Sequence, residues 1–520
     1  MPVGDAVVRL IIFLTGLIVK THVFTLSRLM GYRHYVPDKD SVLVTCCTNG
    51  LGHVHQMERI LSVLEEAGMR FPVIALAKEQ KVPAYKLESL KKRFPDATFY
   101  NLNLEIDYDN GKSFNNLNII VSGTKMVLRR ATPFYRKLTR ILHRHRPAYC
   151  LSFWEPSVAT FLNVMNCPTR LVAVASQGQI YEDSTGVERG LLMRMLRHFN
   201  VGNKGCLVPL SVRPLDCAIP QVVSVPAPAP LDTEGGGYFV AYSTVPQVLG
   251  AIGKRMQGHR VRLFVKEHRL AFYKAKFRRY PHIDVRETAR DFGEQLARSR
   301  GLIASPSRGV VTQAIALGKP VYLFCPKGHL EQEYNLRFYM HRFAGVASPK
   351  GRRYRRYFGA TRQGRGRNAT VTMPEGHRGK MQTLLEWEAS LAELQLDEQA
   401  QELREWLSRT DARIREKLMP LLSPTPEEIA AEAVAAAAEE EEEARERAES
   451  AAEAPSGEVD DEGDPEDDEE DDDDPEEDEY ESNQTKSDGD GSGGDGSDGS
   501  DGSDGTGSCS GEACSPKDEV

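Results

Sequence analysis

The sequence predicts an α/β protein with two domains in which short strands alternate with helices. From Ser41 onward, short apolar runs alternate with segments whose apolar residues recur at helical spacing. A proline-rich stretch at residues 209–230, followed by three glycines at 235–237, interrupts this pattern. A second alternating series begins at Tyr238. Alternation of this kind is typical of parallel sheets, so the sequence predicts two parallel-sheet domains joined by a linker.

The first series is assigned to a domain spanning residues 41–225, with strands predicted at 42–47, 71–76, 149–153 and 171–175 and helices at 57–67 and 157–165. The second series is assigned to residues 236–348, with strands at 238–243, 261–265, 301–305 and 321–324 and helices at 245–256, 289–298, 310–317 and 332–343. Open parallel sheets bind ligands at the carboxyl ends of their strands. We therefore expect the functional cleft to lie between the two domains.

Two further segments follow the predicted domains. Residues 349–426 combine an arginine-rich insertion with segments typical of long helices, which either pack back across the cleft or extend the surface. Residues 427–520 hold 39 acidic and 4 basic residues, a net charge of −35, against +26 for the rest of a chain that totals −9. This tail has almost nothing apolar to bury and is predicted to be disordered. Its charge suggests the hypothesis that it competes with phosphate-bearing ligands for the basic body.

A hydrophobic N-terminal segment, residues 1–36, contains the apolar run 10–19. A spanning helix needs about 20 apolar residues, so the run alone is short. Three interpretations stay open: a membrane-associating or signal-anchor helix, a cleaved targeting peptide, and a helix buried on the body. The nine cysteines form no Cys-x-x-Cys pair, which argues against a zinc ribbon and favours a reducing compartment. We expect a membrane-associated protein on the cytoplasmic-facing rather than the lumenal side.

A glycine-rich turn, Gly50-Leu51-Gly52-His53, lies between the first predicted strand and the first predicted helix. Glycines permit a tight turn, and a helix N-terminus presents free N–H groups to an anion or oxyanion. A histidine here can act as a general base towards a hydroxyl, although a histidine near a helix start is more often a surface or capping residue. The turn lacks the third glycine of the dinucleotide-binding signature, which disfavours a Rossmann dehydrogenase.

A longer polar block spans residues 304–335. In it a predicted strand ends at Ser305, and a short polar turn opens a helix whose N-terminal amides can hold a diphosphate, with Arg308 adding positive charge. The helix and the next loop then bring four polar side chains to the same rim of the sheet: Gln313, Glu331, Gln332 and Asn335. Carboxylates and amides suit ribose or sugar hydroxyls because they offer paired acceptors and donors.

This block resembles the nucleotide-sugar-binding stretch of GT-B glycosyltransferases, which runs from a glycine-rich turn through Thr-x-x-Glu-Ala and Gly-x-Pro to Glu/Gln-Gln-x-x-Asn. It is most similar to the subgroup related to the peptidoglycan lipid-intermediate transferase and the UDP-glycosyltransferases. The turn at 50–53 is similar to the Gly-x-Gly-His motif of that group, and residues 152–156, Ser-Phe-Trp-Glu-Pro, are similar to its Ser-Asp-Phe-Glu-Pro segment. The three motifs occur in the same order and cover about residues 41–346.

The resemblance implies two facing Rossmann-like domains, with a nucleoside-diphosphate sugar, most often UDP-linked, on the C-terminal domain and the acceptor on the N-terminal one. By position, His53 is the candidate catalytic base and Glu155 an acceptor-side catalytic candidate. The implied substrate-binding residues are Gly50, Gly52, Ser307, Arg308, Gly309, Thr312, Gln313, Glu331, Gln332 and Asn335. Neither a metal nor another cofactor is implied, because helix amides and basic side chains can stabilise the leaving diphosphate.

Four positions depart from the family pattern. Gln313 replaces a glutamate that contacts ribose, so one charge and one paired acceptor are lost. Pro306 and Ser307 occupy the place of a common glycine pair, which restricts the approach of the backbone to phosphates. Phe153 replaces the aspartate of the Ser-Asp-Phe-Glu-Pro segment.

The leading interpretation is an enzyme, a hexosyltransferase-type glycosyltransferase that moves a sugar from a nucleotide-sugar donor to a lipid-linked or other membrane-associated acceptor, by inversion or retention. The +26 body and the apolar N-terminus suit contact with an anionic membrane surface, and nucleic acid is not a partner in this interpretation. The alternative is a non-catalytic protein on the same scaffold that binds nucleotide sugars, RNA or anionic lipid. RNA or lipid would then contact residues 352–367, where aromatic residues alternate with arginines.

Overall fold

The structure is a computed structural model of the chain. It describes residues 17–18, 20–29, 31–48, 51–103, 133–179, 200–202, 205–234, 237–242, 252–254, 256–265, 267–288, 291–325, 329–350, 354, 358, 361–363, 370–373, 375 and 377–423. The acidic tail, the turn residue Gly50 and most of the arginine-rich insertion lie outside these residues, so the predictions made for them stay predictions.

The first domain is built on a seven-stranded sheet. Its strands are β1 (Asp38–Cys46), β2 (Val73–Leu76), β3 (Thr98–Asn101), β4 (Pro147–Phe153), β5 (Arg170–Ala175), β6 (Cys206–Ser211) and β7 (Ile219–Pro220). They pair in parallel in the order β3-β2-β1-β4-β5-β6-β7. The central strands are apolar runs buried on both faces, as parallel sheets require, and all four strands predicted from the sequence are present.

Three helices of the first domain are α1 (Leu51–Glu66), α2 (Ala84–Arg93) and α3 (Pro156–Val164), and residues 133–145 are also helical. Helix α1 buries Met57, Ile60, Leu61 and Leu64 against the sheet, which is the helical spacing seen in the sequence. Gly68 follows at φ +93°, a conformation that favours glycine and turns the chain towards β2. This packing fixes the first turn of α1 at the carboxyl end of β1.

The second domain repeats the arrangement. Its strands are β8 (Tyr238–Tyr242), β9 (Arg260–Val265), β10 (Ile283–Glu287), β11 (Leu302–Ala304), β12 (Val321–Leu323), β13 (Val346–Ser348), β14 (Thr361–Gln363), β15 (Thr370–Thr372) and β16 (Lys380–Met381). Strands β14 and β15 form a separate antiparallel pair, and the others form a parallel sheet in the order β10-β9-β8-β11-β12-β13-β16. The expectation of two Rossmann-like α/β domains is therefore confirmed, and the second sheet also recruits β16 from beyond residue 348.

Four helices accompany the second sheet: α4 (Leu270–Phe277), α5 (Phe292–Ala297), α6 (Arg308–Ala316) and α7 (Leu330–Arg342). The helix predicted at 245–256 lies largely outside the described residues. Helix α6 connects β11 to β12 and buries Val311, Ala314 and Ile315, so its N-terminus sits at the carboxyl end of β11. The position of the predicted donor-binding turn is thus set by apolar packing of α6 on the sheet.

The proline-rich stretch is only partly a linker. Residues 209–211 belong to β6 and residues 219–220 form β7, while residues 221–232 carry no helix or strand. Pro220 lies in the strand at the edge of the sheet, where a missing N–H costs least. The connection between the two sheets is therefore shorter than the composition alone suggests.

Three C-terminal helices, α8 (Leu384–Ala389), α9 (Asp397–Ser408) and α10 (Thr410–Leu418), pack back on both domains. Trp406 of α9 is buried in the core of the second domain and donates from its indole N–H to the Ser211 carbonyl at 2.9 Å. Ile414 and Leu418 of α10 are buried in the core of the first domain. Of the two alternatives for these helices, packing back is the one observed.

The described part of the N-terminal segment packs on the first domain. Residues 20–29 are helical, and Val23 and Tyr32 are buried among core residues that include Phe161. The Tyr32 hydroxyl donates to Cys167 Sγ at 2.9 Å. Among the described residues, no helix has both the length and the apolar character needed to cross a membrane. Most of the apolar run 10–19 lies outside them, so its helical character stays a prediction.

Candidate functional site

The predicted site residues on α1, α3 and α6 follow strands at the points where the two sheets reverse their strand order, and those on α7 follow the neighbouring strand β12. In the first sheet this point lies between β1 and β4, and in the second it lies between β8 and β11. Such reversals open a crevice at the carboxyl ends of the strands, where ligands of open α/β sheets bind. Strand β1 leads to the turn before His53, β4 leads to Glu155, and β11 leads to Ser307.

The turn between β11 and α6 leaves a helix N-terminus without a side-chain cap. Ser307 is the N-cap residue of α6, with φ −82° and ψ 139°, but its side chain accepts no hydrogen bond from the helix. Its Oγ is buried and has no hydrogen-bond partner among the described residues. A Cβ at Gly309, in the first turn, would meet no atom of the described residues within 4 Å beyond its chain neighbours and the backbone of α6. The first turn of α6 therefore has open space beside it and a hydroxyl available to a ligand.

Arg308 is a buried cation at this turn, with only 5% of its surface exposed. Its Nε donates to Asn335 Oδ1 at 2.9 Å, and its Nη1 donates to Gln179 Oε1. The guanidinium lies 5.6 Å from the ring centre of Tyr334 and 5.8 Å from that of Phe338. These contacts fix its position and orientation on three sides.

The partners of Arg308 hold it without neutralising it. Both of its hydrogen-bonded side chains are neutral amides, and no carboxylate lies within ion-pair distance in the part of the chain that the structure describes. Its Nη2 is buried and has no hydrogen-bond partner there. Burying a charge without a counter-charge is costly, so this arrangement favours binding of an anion beside Nη2.

Asn335 and Thr312 support this arrangement from below. Asn335 is 1% exposed, accepts from Arg308 Nε, and donates from Nδ2 to the Pro306 carbonyl at 3.0 Å. The fully buried Thr312 shares a hydrogen bond of 3.1 Å with Tyr339. Burial raises the pKa of Tyr339 to about 12, so its hydroxyl stays protonated and donates to the Arg308 carbonyl at 3.4 Å. Both predicted binding residues thus position the turn from the core.

Gln313 has a local structural reason to be an amide. Its Nε2 donates to the backbone carbonyl of Ser224, in the linker, at 2.6 Å. A glutamate at this position would place two acceptors against that carbonyl and lose the bond. The departure from the family glutamate therefore joins α6 to the linker, and Oε1, which has no hydrogen bond to the described residues, stays available to a ligand hydroxyl.

The N-terminus of α7 supplies the second polar group of the site. His329 is its N-cap residue, and His329 Nδ1 accepts from the Gln332 amide at 3.4 Å. The Oε1 of Gln332 is buried without a partner among the described residues. Glu331 Oε2 accepts from Gln177 Nε2, on the first domain, at 3.2 Å. Glu331 and Gln332 are therefore brought to the crevice together, as the sequence predicts.

His53 lies in the first turn of α1, half-buried, directly beyond the carboxyl end of β1. Gly52 precedes it in open space, since a Cβ there would meet no atom within 4 Å. One turn further along, the buried Gln56 donates from Nε2 to Ser176 Oγ at 3.4 Å. His53 therefore lies at the strand-order reversal of the first sheet, and its function as a base stays a prediction.

Glu155 has a different environment from the one expected of an acceptor-side catalyst. It is 1% exposed and is the N-cap residue of α3, where Oε1 accepts from the Ser157 amide at 3.2 Å and Oε2 from the Val158 amide at 2.7 Å. Trp154, just before it, has φ +55°, a strained conformation for a bulky residue. Both carboxylate oxygens are occupied by the backbone, which gives Glu155 a capping function.

None of the sequence motifs includes the segment 176–179, Ser-Gln-Gly-Gln. It follows β5 and provides Gln177, which contacts Glu331, and the fully buried Gln179, which contacts Arg308. The available signal was a run of polar residues at the carboxyl end of a predicted apolar strand. Because the two contacts reach residues more than a hundred positions away, their partners were not predictable from spacing.

Comparison with known proteins gives a likeness in structure only. No protein-family model matches the chain, and no curated protein matches it. Among solved structures, it is similar to the spinosyn rhamnosyltransferase SpnG complexed with spinosyn aglycone, with 13% identity, a TM-score of 0.43, and coverage of 73% of this chain and 99% of the other. It is similar to the calicheamicin glycosyltransferase CalG4 with 13% identity, a TM-score of 0.41, and coverage of 73% of this chain and 98% of the other. It is similar to Arabidopsis thaliana UGT89C1 complexed with UDP-L-rhamnose with 13% identity, a TM-score of 0.43, and coverage of 74% of this chain and 98% of the other.

These similar structures are glycosyltransferases, the class that the sequence motifs resemble. At TM-scores below 0.5 such a likeness does not identify corresponding residues. The roles of individual side chains therefore rest on the geometry of this chain.

Proposed function

We propose that the chain is a glycosyltransferase that uses a nucleotide-sugar donor. The observation that carries the proposal is Arg308 at the uncapped N-terminus of α6, a buried guanidinium whose Nη2 has no hydrogen-bond partner in the part of the chain that the structure describes. More specifically, we propose a UDP-sugar as donor and a lipid-linked or other membrane-associated acceptor.

The donor diphosphate is proposed to bind at the first turn of α6. A helix N-terminus stabilises a nearby anion by about 0.3–1 kcal/mol, and a hydrogen bond to a charged group contributes about 1.5–3 kcal/mol. Arg308 Nη2, Ser307 Oγ and the amides beside Gly309 are the groups that would share the phosphate oxygens. As the glycosidic bond breaks, negative charge grows on the leaving diphosphate, so the same groups would stabilise the transition state.

The sugar and the acceptor are proposed to meet between α7 and α1. Glu331 and Gln332 would bind hydroxyls of the transferred sugar, and the free Oε1 of Gln313 would accept from the ribose. His53 would accept the proton of the attacking acceptor hydroxyl, since a neutral imidazole has a ring nitrogen that can act as a general base.

The membrane-associated acceptor is supported by the N-terminal helix. Its buried side contacts the first domain through Val23, while its outer side exposes Leu17, Ile18, Phe24 and Leu29 to between 49% and 72%. Arg28 lies over the Phe24 ring at 5.6 Å. An apolar helix face with adjacent basic side chains suits the surface of an anionic bilayer, and we propose a membrane-associated protein on the cytoplasmic-facing side.

The proposal is tested with purified full-length protein and a panel of UDP-, TDP- and GDP-sugars. Calorimetry measures donor binding, and mass spectrometry detects donor hydrolysis or transfer to lipid-linked saccharides in vesicles. We expect one class of donor to bind and turn over. Arg308→Met should weaken that binding by about 30-fold, the equivalent of about 2 kcal/mol, without lowering the melting temperature of the free protein, because it removes an uncompensated buried charge.

His53→Ala serves as the matched variant on the other domain. It should bind the donor as the wild type does and lose turnover. Binding without turnover in the wild type would instead support a non-catalytic nucleotide-sugar binder on this scaffold. Absence of binding to every donor would contradict the proposal.

A further inference from the structure

The segment Ser176-Gln177-Gly178-Gln179 follows β5 of the first domain, yet it contacts both charged side chains that the proposed function assigns to the donor. Gln177 Nε2 donates to Glu331 Oε2 at 3.2 Å, and Gln179 Oε1 accepts from Arg308 Nη1. Both amides are buried, with 7% and 0% of their surface exposed. A segment of one domain is therefore part of the polar site of the other.

The segment is held rigidly by its own domain. A Cβ on Gly178 would lie 2.8 Å from Cα of Pro209 in β6, so only glycine permits this approach. Ser176 Oγ donates to Gln221 Oε1 at 3.0 Å, and Gln179 Oε1 also accepts from the Val212 amide at 3.2 Å. The close approach of Gly178 to Pro209 and the hydrogen bond from the Val212 amide fix the orientation of Gln179, whereas the Ser176–Gln221 bond only joins the start of the segment to the residue after β7.

The chemistry of the two glutamines preserves the charges that they contact. A neutral amide orients a guanidinium or a carboxylate through a hydrogen bond and leaves its charge uncompensated. A glutamate at 179 would instead form a buried ion pair with Arg308 and compete with a phosphate. In addition, Gln177 Oε1 is buried without a hydrogen-bond partner among the described residues. It is an acceptor beside Glu331, which suits the hydroxyl of a sugar.

We propose that Gln177 and Gln179 complete the donor site from the first domain, an inference that rests on the proposed function. Gln179 is a positioning residue that holds Arg308 for the diphosphate. Gln177 contributes sugar selectivity, because its Oε1 accepts from a hydroxyl of the transferred sugar while its Nε2 orients Glu331.

The two roles predict different patterns of affinity. The probes are the nucleotide sugar of the panel that binds the wild type most tightly and the corresponding nucleoside diphosphate without sugar. Gln177→Met should weaken binding of the nucleotide sugar about tenfold, the scale of one lost hydrogen bond, and leave the affinity for the nucleoside diphosphate unchanged. Gln179→Glu should weaken binding of both ligands at least tenfold, because the new carboxylate pairs with Arg308 and repels the diphosphate. Gln179→Met, which adds no charge, should weaken both ligands less.

Gln221→Met is the matched control. Gln221 is as deeply buried as Gln179 and contacts Ser176, but it contacts neither Arg308 nor Glu331. Its substitution should lower the melting temperature and leave both affinities unchanged, which separates loss of stability from loss of positioning. A Gln177→Met variant with equal losses for both ligands, or Gln179 variants with wild-type affinities, would overturn the inference and leave the proposed function intact. If the wild type binds no nucleotide sugar, the proposed function fails first and the inference falls with it.

Discussion

The turns after β4 and β11 occupy equivalent places in the two domains but treat their helix N-termini in opposite ways. After β4, the carboxylate of Glu155 accepts from two amides of α3 and is itself buried. After β11, Ser307 leaves α6 uncapped, and the next residue is a buried cation whose Nη2 has no hydrogen-bond partner among the described residues. The turn after β4 therefore contains an anion, the Glu155 carboxylate. The turn after β11 has an uncapped helix N-terminus and a cation, and no carboxylate pairs with them among the described residues.

The difference shows that strand order alone does not make a binding site. Both turns lie at a reversal of strand order, where the fold offers a crevice and a helix dipole. In the first domain the N-terminus of α3 is already satisfied by Glu155, and the proposed function therefore assigns the chemistry of that crevice to His53 on α1. In the second domain the N-terminus of α6 has no side-chain cap, and the proposed function assigns the diphosphate to it. Three changes test this difference: adding an anion to the turn after β11, removing the anion from the turn after β4, and filling the space beside α6.

Ser307→Asp should have the largest effect, because it makes the second turn resemble the first. The new carboxylate would cap α6 and lie next to Arg308, so the free protein should be more stable by about 0.5–1 kcal/mol. The same charge would repel the donor diphosphate, and we expect the dissociation constant of the donor to rise about 100-fold, or about 2.7 kcal/mol. Calorimetry and thermal unfolding measure the two effects.

Ser307→Asn is the uncharged control for this change. Asparagine caps helices as well as aspartate does but brings no negative charge, so it should stabilise the protein similarly and weaken the donor by less than tenfold. Wild-type donor affinity in Ser307→Asp would place the diphosphate elsewhere.

Glu155→Gln tests the first turn from the opposite side. The amide replaces one acceptor oxygen with an NH₂ group facing a backbone N–H, so one cap bond is lost inside the core. We expect a loss of about 1–2 kcal/mol in the free energy of unfolding and an unchanged kcat for the folded protein. Urea unfolding and steady-state kinetics measure these quantities. A kcat reduced a hundredfold with unchanged stability would show instead that Glu155 acts in catalysis, as the sequence motif implies.

Gly309→Ala probes the space beside α6 with a single methyl group. Since no described residue beyond the chain neighbours and the backbone of α6 lies within 4 Å of that Cβ, the substitution should stabilise the helix by about 0.5–1 kcal/mol. Donor affinity should fall about fivefold, because the methyl group would narrow the approach to the first-turn amides. Gly52→Ala, equally unobstructed at the N-terminus of α1, should leave donor affinity unchanged. Equal losses of donor affinity in the two variants would contradict the assignment of the donor to α6 and of the acceptor to α1.

The fold was predictable because its signals are local. Apolar strand runs, the helical spacing from Met57 to Leu64 and the turn at 304–309 each follow from adjacent residues. The features that give the site its chemistry are long-range. The contacts of Arg308 with Gln179 and of Glu331 with Gln177 depend on how the two domains pack, and the capping function of Glu155 depends on the geometry of α3. Sequence spacing therefore predicted where the turns lie but not how the helix N-terminus at each turn is capped.

The smallest predicted effect is a pH dependence located at α7. Burial lowers the pKa of His329 from its ordinary 6.5, although Glu331 and Glu333 act in the opposite direction. As the cap of α7, its Nδ1 accepts from the Gln332 amide, which requires an unprotonated nitrogen. Because the folded pKa lies below the unfolded one, the unfolded chain binds more protons as the pH falls below about 6.5, and stability decreases there.

His329→Asn should retain a cap while removing this titration, so its stability should fall less than that of the wild type between pH 7 and pH 5.5. Urea unfolding of both proteins across that range gives the comparison. The wild-type slope also contains other histidines whose pKa is lowered, His55, His145, His282 and His341, and they contribute equally to both proteins. The difference between the two slopes therefore reports His329 alone, and identical slopes would mean that its protonation is not linked to folding. Donor affinity measured over the same range should follow the difference, because Glu331 and Gln332 reach the crevice from the turn that His329 caps.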